Sequence, residues 1–399
     1  MGTVLPLIMG IIWLYVVARF RHALPARQSI RIALAVVLLL VAEYHTITSR
    51  LFGSLASTEL PRAALIGLSW AFGAFLLLAM LLVLRDVVGG LAWLFARRAG
   101  KAVLGSARVS MSIGVLAVLL AAWGTWQAVK LPAVKTVAIA LQGLPAAFDG
   151  YRVVQLSDLH ASRLMSTPWI AAVVAKTDAL HPDLIVITGD LQDGTPAARA
   201  ADVRPLHDLH ARDGVLAVPG NHEYYVDYQG WMAAFRALGL HMLENAHVLI
   251  QRDGQTLAVA GITDPAAIRF HLPRPDLQAA LHGIPPDVPV ILLSHRPGNA
   301  VASARAGVAL ELAGHTHGGQ IRGPDLITRW ANHGFLSGLY RVGSMALYVS
   351  NGTGLWNGFA IRLGRPSEIT QIVLRAAPKQ PVAPGRHGVR SESPHGASD

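Results

Sequence analysis

The sequence predicts a chain of two unlike parts: an N-terminal all-α transmembrane region of about four helices, then an α/β domain. Three observations predict this. The 399 residues are 52% hydrophobic and only 15% charged, with a mean hydropathy of +0.41, which is too apolar for an ordinary soluble domain. The long apolar runs fall before residue 130. Beyond residue 136, short apolar runs of strand length alternate with helical stretches, as in βαβ chains. The expected divisions are 1–135 for the membrane region, 136–375 for the α/β domain, and 376–399 for a disordered tail rich in Pro, Gly and Ser.

The membrane region rests on four apolar runs, at 4–17, 32–42 (extending to 47), 63–84 and 109–129. A bilayer-spanning helix needs about 20 mostly apolar residues. The third and fourth runs meet this directly, the first two only with their flanks. A cleaved signal peptide fits the first run poorly, because no basic segment precedes it and arginines follow it. Charge sets the orientation. Arg19, Arg21, Arg27 and Arg31 follow the first run; Arg85, Arg97, Arg98, Lys101 and Arg108 follow the third. By the positive-inside rule both loops are cytoplasmic. Both ends of the chain are then outside, in a multi-pass protein of the cell (inner) membrane with an extracytoplasmic α/β domain.

The net charge of +10 belongs to this region. Residues 1–136 hold 13 of the 34 Lys and Arg and 3 of the 24 Asp and Glu, so the remainder is balanced at 21 and 21. No basic stripe is left for nucleic acid, and none is expected as a partner. The absence of cysteine excludes disulfides, thiolate metal ligands and a cysteine nucleophile.

In the second half, metal-ligand residue types follow apolar runs five times. Ser157-Asp158-Leu159-His160 follows a β-rich run at 152–156, and Gly189-Asp190-Leu191-Gln192-Asp193 follows 182–188. Gly220-Asn221-His222-Glu223 follows 214–218, Ser294-His295 follows 288–293, and Gly314-His315-Thr316-His317 follows 308–313. Strand C-terminal ends are where α/β proteins build sites. Side chains at i and i+2 of an extended strand share a face, which lets Asp158 and His160 serve one ion. Oxygen and imidazole donors suit Mn, Fe or Zn.

These segments resemble the calcineurin-like metallophosphoesterase superfamily, with its Asp-x-His, Gly-Asp-x-x-Asp, Gly-Asn-His-(Asp/Glu), His and Gly-His-x-His series, over about residues 136–374. The run from Leu144-Pro145 to Gly150-Tyr151-Arg152, and the late Ser350-Asn351-Gly352-Thr353-Gly354 followed by Ile361-Arg362 and Pro366-Ser367-Glu368-Ile369, are similar to its bacterial YkuE/YaeI-like membrane branch. The resemblance implies a β-sandwich flanked by helices and two divalent ions, with manganese among the candidates. It implies that Asp158, His160 and His317 bind one ion, that Asn221, His295 and His315 bind the other, and that Asp190 bridges them. His222 would then be the catalytic proton donor or a transition-state contact. The implied reaction is hydrolysis of a phosphate ester or pyrophosphate by a hydroxide held between the ions. Asp193 reads as a support for the ligands rather than a ligand. Glu223 stands where many members have Asp and is expected to orient His222.

Other residues are left with two readings. Arg163 is a phosphate contact or a surface arginine. Tyr224, Tyr225, Tyr228 and Trp231 line a cleft, face the bilayer, or simply pack. Trp330, Phe335, Leu336 and Leu339 form an apolar cluster suited to a membrane interface. His181, His207, His210, His241, His247, His271, His282 and His333 match no motif position.

The leading expectation is a membrane phosphoesterase acting on a lipid-linked or cell-envelope phosphate ester, in contact with membrane lipids. A UDP-2,3-diacylglucosamine pyrophosphatase-like enzyme is the narrower alternative, opposed by the orientation. A membrane sensor that binds a phosphorylated ligand without turnover is the rival from another class. A transporter is disfavoured, because few ionisable residues lie within the spans.

Overall fold

A computed structural model of the chain describes residues 4–20, 23, 27–53 and 57–377. The tail expected from 376 falls, from residue 378 on, outside the described residues.

The membrane region is helical: α1 (Val4–Phe20), α2 (Gln28–Ala42), α3 (Tyr44–Phe52), α4 (Arg62–Phe95), α5 (Arg97–Gly105) and α6 (Ala107–Val129). By length and composition α4 and α6 can each cross a membrane, and α2 with α3, bent by 53° at Glu43, would make a third span. The apolar helix α1, at 17 residues, is shorter. Among the described residues two to three spans are therefore supported, with α1 a further, shorter apolar helix, roughly consistent with the about four that the sequence suggests. Ser106 starts α6 by accepting the Val109 N–H at 3.2 Å.

The two ends of the bundle differ. At one, Asp86 of α4 binds Arg19 Nε at 2.8 Å and Tyr15 Oη at 2.9 Å, and Arg85 donates to Ser110 Oγ at 2.7 Å. This end carries the Arg-rich segments. The other end meets the α/β domain, which begins at β1 (Ala133–Leu141) three residues after α6.

The domain contains β2 (Arg152–Leu156), α7 (Thr167–Asp178), β3 (Leu184–Thr188), α8 (Pro196–Val203), β4 (Val215–Val218), α9 (Asn221–Tyr225), α10 (Tyr228–Ala237) and β5 (His241–Met242). Then come β6 (Ala246–Arg252), β7 (Gln255–Gly261), α11 (Leu277–Leu281), β8 (Val290–Leu293), α12 (Ala300–Arg305), β9 (Leu310–Ala313), α13 (Asp325–Ala331), β10 (Gly338–Val342), β11 (Met345–Val349) and β12 (Glu368–Ala376). Two six-stranded sheets result, ordered β1-β12-β2-β3-β4-β5 and β10-β11-β9-β8-β7-β6. β2 to β5 run parallel, as do β7, β8, β9 and β11.

Strand alternation builds the layers. Val153, Val186 and Leu216 meet Val259, Ile291 and Leu312 of the other sheet in the central core. Their neighbours Val154, Ile185 and Ile187 turn outward onto Trp169 and Ile170 of α7 and Trp231 and Phe235 of α10. Ala258, Leu292 and Leu347 of the second sheet cover Ala280 of α11 and Ala300 of α12. This is a β-sandwich flanked by helices, and it brings the C-terminal ends of β2, β3, β4, β8 and β9 to one edge.

Bundle and domain interlock. Leu65 of α4 and Ala128 of α6 join the apolar layer outside the first sheet. Arg62 Nε donates to Leu164 O at 3.1 Å, and Glu59 pairs with Arg163 at 2.8 Å and with buried Arg199. A strap at 356–363 enters the bundle. Ile361 lies so close to α6 that a Cβ on Gly124 would sit 2.5 Å from its Cγ1, and Arg362 N donates to Gly124 O at 2.9 Å. Tyr44 of α3 donates its hydroxyl to Gly358 O.

Candidate metal centre

The five segments converge where the two sheets open. The loop after β2 runs beside the loop after β3, with Asp158 N donating to Gly189 O and His160 N to Asp190 O, both at 3.0 Å. The loop after β9 closes from the other sheet: His315 N donates to the Asp158 carboxylate at 3.1 Å. Gly314 must be glycine here, since a Cβ would collide with Ser157 Oγ and the Asp158 carboxylate.

The backbone is unusual at these residues. Asp158, His160, Asp190, His315 and His317 have φ of 52°, 48°, 53°, 68° and 49°. L-residues rarely adopt this region, and strain of this kind gathers at functional sites. Asp158 and His160 are thus not on an extended strand as the sequence suggested: β2 ends at Leu156. Their side chains converge because two left-handed residues curl the loop, with Asp158 Oδ1 4.0 Å from His160 Nε2.

Two donor groups form. In one, His160 Nε2 faces His317 Nε2 at 3.3 Å, with Asp158 Oδ1 3.5 Å from His317 Nε2. In the other, His295 Nε2 lies 3.3 Å from Asp190 Oδ2, 3.1 Å from Asn221 Oδ1 and 3.2 Å from His315 Nδ1. Asp190 Oδ2 also lies 3.7 Å from His160 Nε2, so one carboxylate oxygen reaches both groups. Asp158–His160–His317 and Asp190–His295–His315 each satisfy the geometry of a metal-holding cluster, and Asn221 adds its oxygen to the second; His160–Asp193–His222 satisfies it as well, through the Asp193 oxygen that both imidazoles share. Among the described residues, the nine histidines outside the motifs join no such cluster.

The donor set fits divalent cations. His160 Nδ1 is committed to Asp193 Oδ1 at 3.1 Å and His295 Nδ1 to Thr188 O at 2.8 Å, which leaves each Nε2 a lone pair aimed inward. His160 Nε2 and the Asp158 oxygen then converge on His317 Nε2, an arrangement that a shared cation stabilises. Buried His317 Nδ1 and Asp193 Oδ2 have no hydrogen-bond partner.

The charged groups of the cluster set one another's protonation. Burial lowers the His295 and His222 pKa values, but nearby carboxylates outweigh it: Asp190 chiefly raises His295 to about 10, and Asp190 with Asp193 raises His222 to about 9. Burial works against ionised Asp193, yet His160 and His222 hold it down at about 2. Burial raises Asp158, whereas His295 and His222 hold Asp190 well below the usual range against burial. Burial, reinforced by neighbouring cations, keeps His315 and His317 neutral.

One supporting role differs from the sequence reading, and another extends it. Glu223 does not orient His222. Its carboxylate accepts the backbone N–H groups of Gly220, Asp190 and Leu191 at 2.7, 3.0 and 2.8 Å, which locks the turns carrying Asp190 and Asn221. Asp193 orients His222 instead, at 2.6 Å from Nδ1, and grips His160 with the same oxygen. His222 itself is 13% exposed at its side chain, with Nε2 3.9 Å from Asp190 Oδ2.

The mouth includes residues the sequence left open or missed. Tyr225 is exposed, 5.1 Å from the His222 ring, and its hydroxyl accepts from Asn221 Nδ2 at 3.1 Å; Tyr224, Tyr228 and Trp231 are core. Trp356 stands between His222, at 6.5 Å, and His45 of α3, at 6.0 Å. Arg163 is tied to Glu59. Buried Arg362 donates to His317 O, Asn351 O and Gly354 O at 3.1, 2.7 and 2.9 Å, supporting a donor loop from below. Its place beside the Asn351–Gly354 segment was the only signal for it in the sequence.

An edge-of-sandwich cluster of Asp, Asn and His on five strand ends is suited to a metal-dependent phosphoesterase. A family model for calcineurin-like phosphoesterases matches residues 151–319. A bovine "transmembrane protein with metallophosphoesterase domain" is 35% identical over 324 residues, 77% of this chain and 72% of the relative. Its zebrafish counterpart is 34% identical over 282 residues, 68% of this chain and 64% of the relative, so the chain spans just under two thirds of that protein's length. The uncharacterized metallophosphoesterase YkuE of Bacillus subtilis is 32% identical over 244 residues, 58% of this chain and 82% of YkuE. The chain belongs to the calcineurin-like metallophosphoesterases.

Proposed function

We propose that the protein is a membrane-anchored phosphoesterase that uses two divalent ions to hydrolyse phosphate ester or pyrophosphate bonds of a lipid or cell-envelope substrate outside the cytoplasm. Asp190 Oδ2, within reach of both donor groups, is the observation that carries the two-ion reading. Asp158, His160 and His317 would hold one ion, Asn221, His295 and His315 the other, and Asp190 both. When bound, the pair supplies Lewis acidity for phosphoryl oxygens and hydroxide at neutral pH. The chain does the rest. Asp193 holds His222 by Nδ1, leaving Nε2 to protonate the departing oxygen. Glu223 fixes the Asp190 and Asn221 turns, and Arg362 fixes the His317 loop.

A lipid or envelope substrate is supported by the strap, which joins the centre to the membrane helices through Ile361 and Arg362. The extracytoplasmic side is supported by the bundle, whose Arg-rich end lies opposite the domain.

The test is the purified full chain with Mn, Fe, Zn and Mg against monoesters, diesters and pyrophosphates. Metal-dependent hydrolysis that Asp190→Ala abolishes is expected. Metal binding without turnover of any of them would favour the sensor reading.

A further inference from the structure

Helix α13 leaves the metal centre beside the bundle with an apolar face that nothing among the described residues covers. Leu326, Ile327 and Trp330 are 67%, 72% and 84% exposed. Their spacing of i, i+1 and i+4 puts them on one face. Three large apolar side chains together on a water-facing surface are costly and mark a contact surface.

The depth of α13 is fixed by its neighbours. Gly124 of α6, where the strap lands, lies between Trp123 and Trp126, which are 55% and 50% exposed. Lys130 covers the Trp126 ring at 4.8 Å. Exposed tryptophans beside a lysine at the end of an apolar helix mark the headgroup level. The strap residue Leu363 then pairs with the chain leading into α13: its N–H donates to Gln320 O at 2.8 Å, and its carbonyl accepts from Arg322 N at 2.9 Å. Ile321 joins the apolar cluster of the bundle itself. Asp325, the first residue of α13, is paired to Arg365. The start of α13 is thereby held at the level of the tryptophans. Exposed Arg322 and Arg329 flank the apolar face, suited to lipid phosphates.

We propose that α13 lies in the headgroup layer of the bilayer, with Leu326, Ile327 and Trp330 against the acyl chains. The partner is the lipid surface around the protein's own spans. The rim of the metal centre next to His317 then rests on the membrane. Given the phosphoesterase reading, on which this consequence rests, the substrate is a phosphate ester presented by the bilayer.

Because the chain contains no cysteine, single labels test this in the full-length protein. Leu326→Cys and Trp330→Cys each receive a nitroxide in phosphatidylcholine and phosphatidylglycerol vesicles. Leu119→Cys on the outer face of α6 is the lipid reference, and Gln251→Cys on β6 the water reference. Both α13 labels should collide more with oxygen than with a water-soluble nickel chelate, as at position 119. The reverse preference, as at position 251, overturns the proposal. Shielding from both reagents also overturns it, in favour of a protein partner. These readouts do not depend on turnover, so a failure of the phosphoesterase reading leaves them intact. If the protein is active, Leu326→Ser/Ile327→Ser/Trp330→Ser should lower hydrolysis of a vesicle-borne ester by about tenfold or more relative to a water-soluble aryl phosphodiester. An unchanged ratio overturns delivery from the bilayer.

Discussion

Asp193 shows how one side chain outside the ligand set can govern both halves of the chemistry. Its Oδ1 holds His160 and His222 together, 3.1 and 2.6 Å from their Nδ1 atoms. Asp193→Asn keeps the shape and removes the charge. Partners of this kind affect metal affinity by about 10–100-fold, so weaker binding in the His160 group should appear in metal titrations. The pH profile gives a second readout. His222 sits at about 9 because Asp190 and Asp193 outweigh its burial. With one charge gone, burial counts for more and the pKa falls. A proton donor is lost as pH rises through its pKa, so the alkaline limb of kcat/KM should move to lower pH. A limb that stays in place would assign proton donation to another group.

At the scale of elements, β9 and α6 each support the centre at a cost or a constraint. Glu311 on β9 is buried, and neither carboxylate oxygen makes a hydrogen bond. Burial raises its pKa from 4.5 to about 7, with Ser303 only moderating the shift. An acid whose folded pKa is raised leaves stability intact below its unfolded pKa and reduces it as pH climbs toward the folded value. The loss therefore grows between about 4.5 and 7 and levels above that at about 3 kcal/mol. Glu311→Gln should unfold at a higher temperature than the parent at pH 8, with the gap closing toward pH 5. On α6, Gly124→Val would drive the strap away, because a Cβ there already meets Ile361 and Leu363. Loss of the Arg362 support beneath His317 should lower metal content measured by elemental analysis, whereas Gly67→Val, with nothing within 4 Å of its Cβ position, should not. These cases show where the sequence was legible. Apolar runs ending in Asp, Asn or His gave the strands to within two residues, because strand burial and ligand chemistry both write themselves into residue type. The curl at Asp158 and His160 was illegible, since left-handed φ in a non-glycine residue is imposed by tertiary contacts. So was the exchange of roles between Asp193 and Glu223, which depends on which carboxylate the fold aims at backbone N–H groups. Arg362 was legible as part of a late family run but its role was not, because its partners are backbone carbonyls.

At the scale of the whole molecule, the N-terminal apolar helices pack against the domain that carries the candidate metal centre. Among the contacts that join them to the domain are four: the strap on Gly124, Tyr44 on Gly358, Glu59 on Arg199, and Leu65 with Ala128 against the outer layer of the first sheet. A domain excised as residues 133–377 would lose all four. Ile361, Leu363, Phe359 and Ile321, which pack in the bundle's cluster, would face water. Burying one such side chain is worth about 1.5–3 kcal/mol, so together they outweigh what a marginally stable domain can lose without consequence. Buried Arg199 would keep only Asp202, at 2.9 Å, as an ionic partner. The excised domain should therefore self-associate in size-exclusion chromatography and hold less metal than the full chain in detergent. Adding detergent above its micelle threshold should recover the monomer but only part of the metal, because micelles cover apolar surface without replacing the Gly124 carbonyl that fixes Arg362. An excised domain that stays monomeric in buffer, with full metal content and the full chain's rate on a soluble ester, would show that the helices only tether the enzyme.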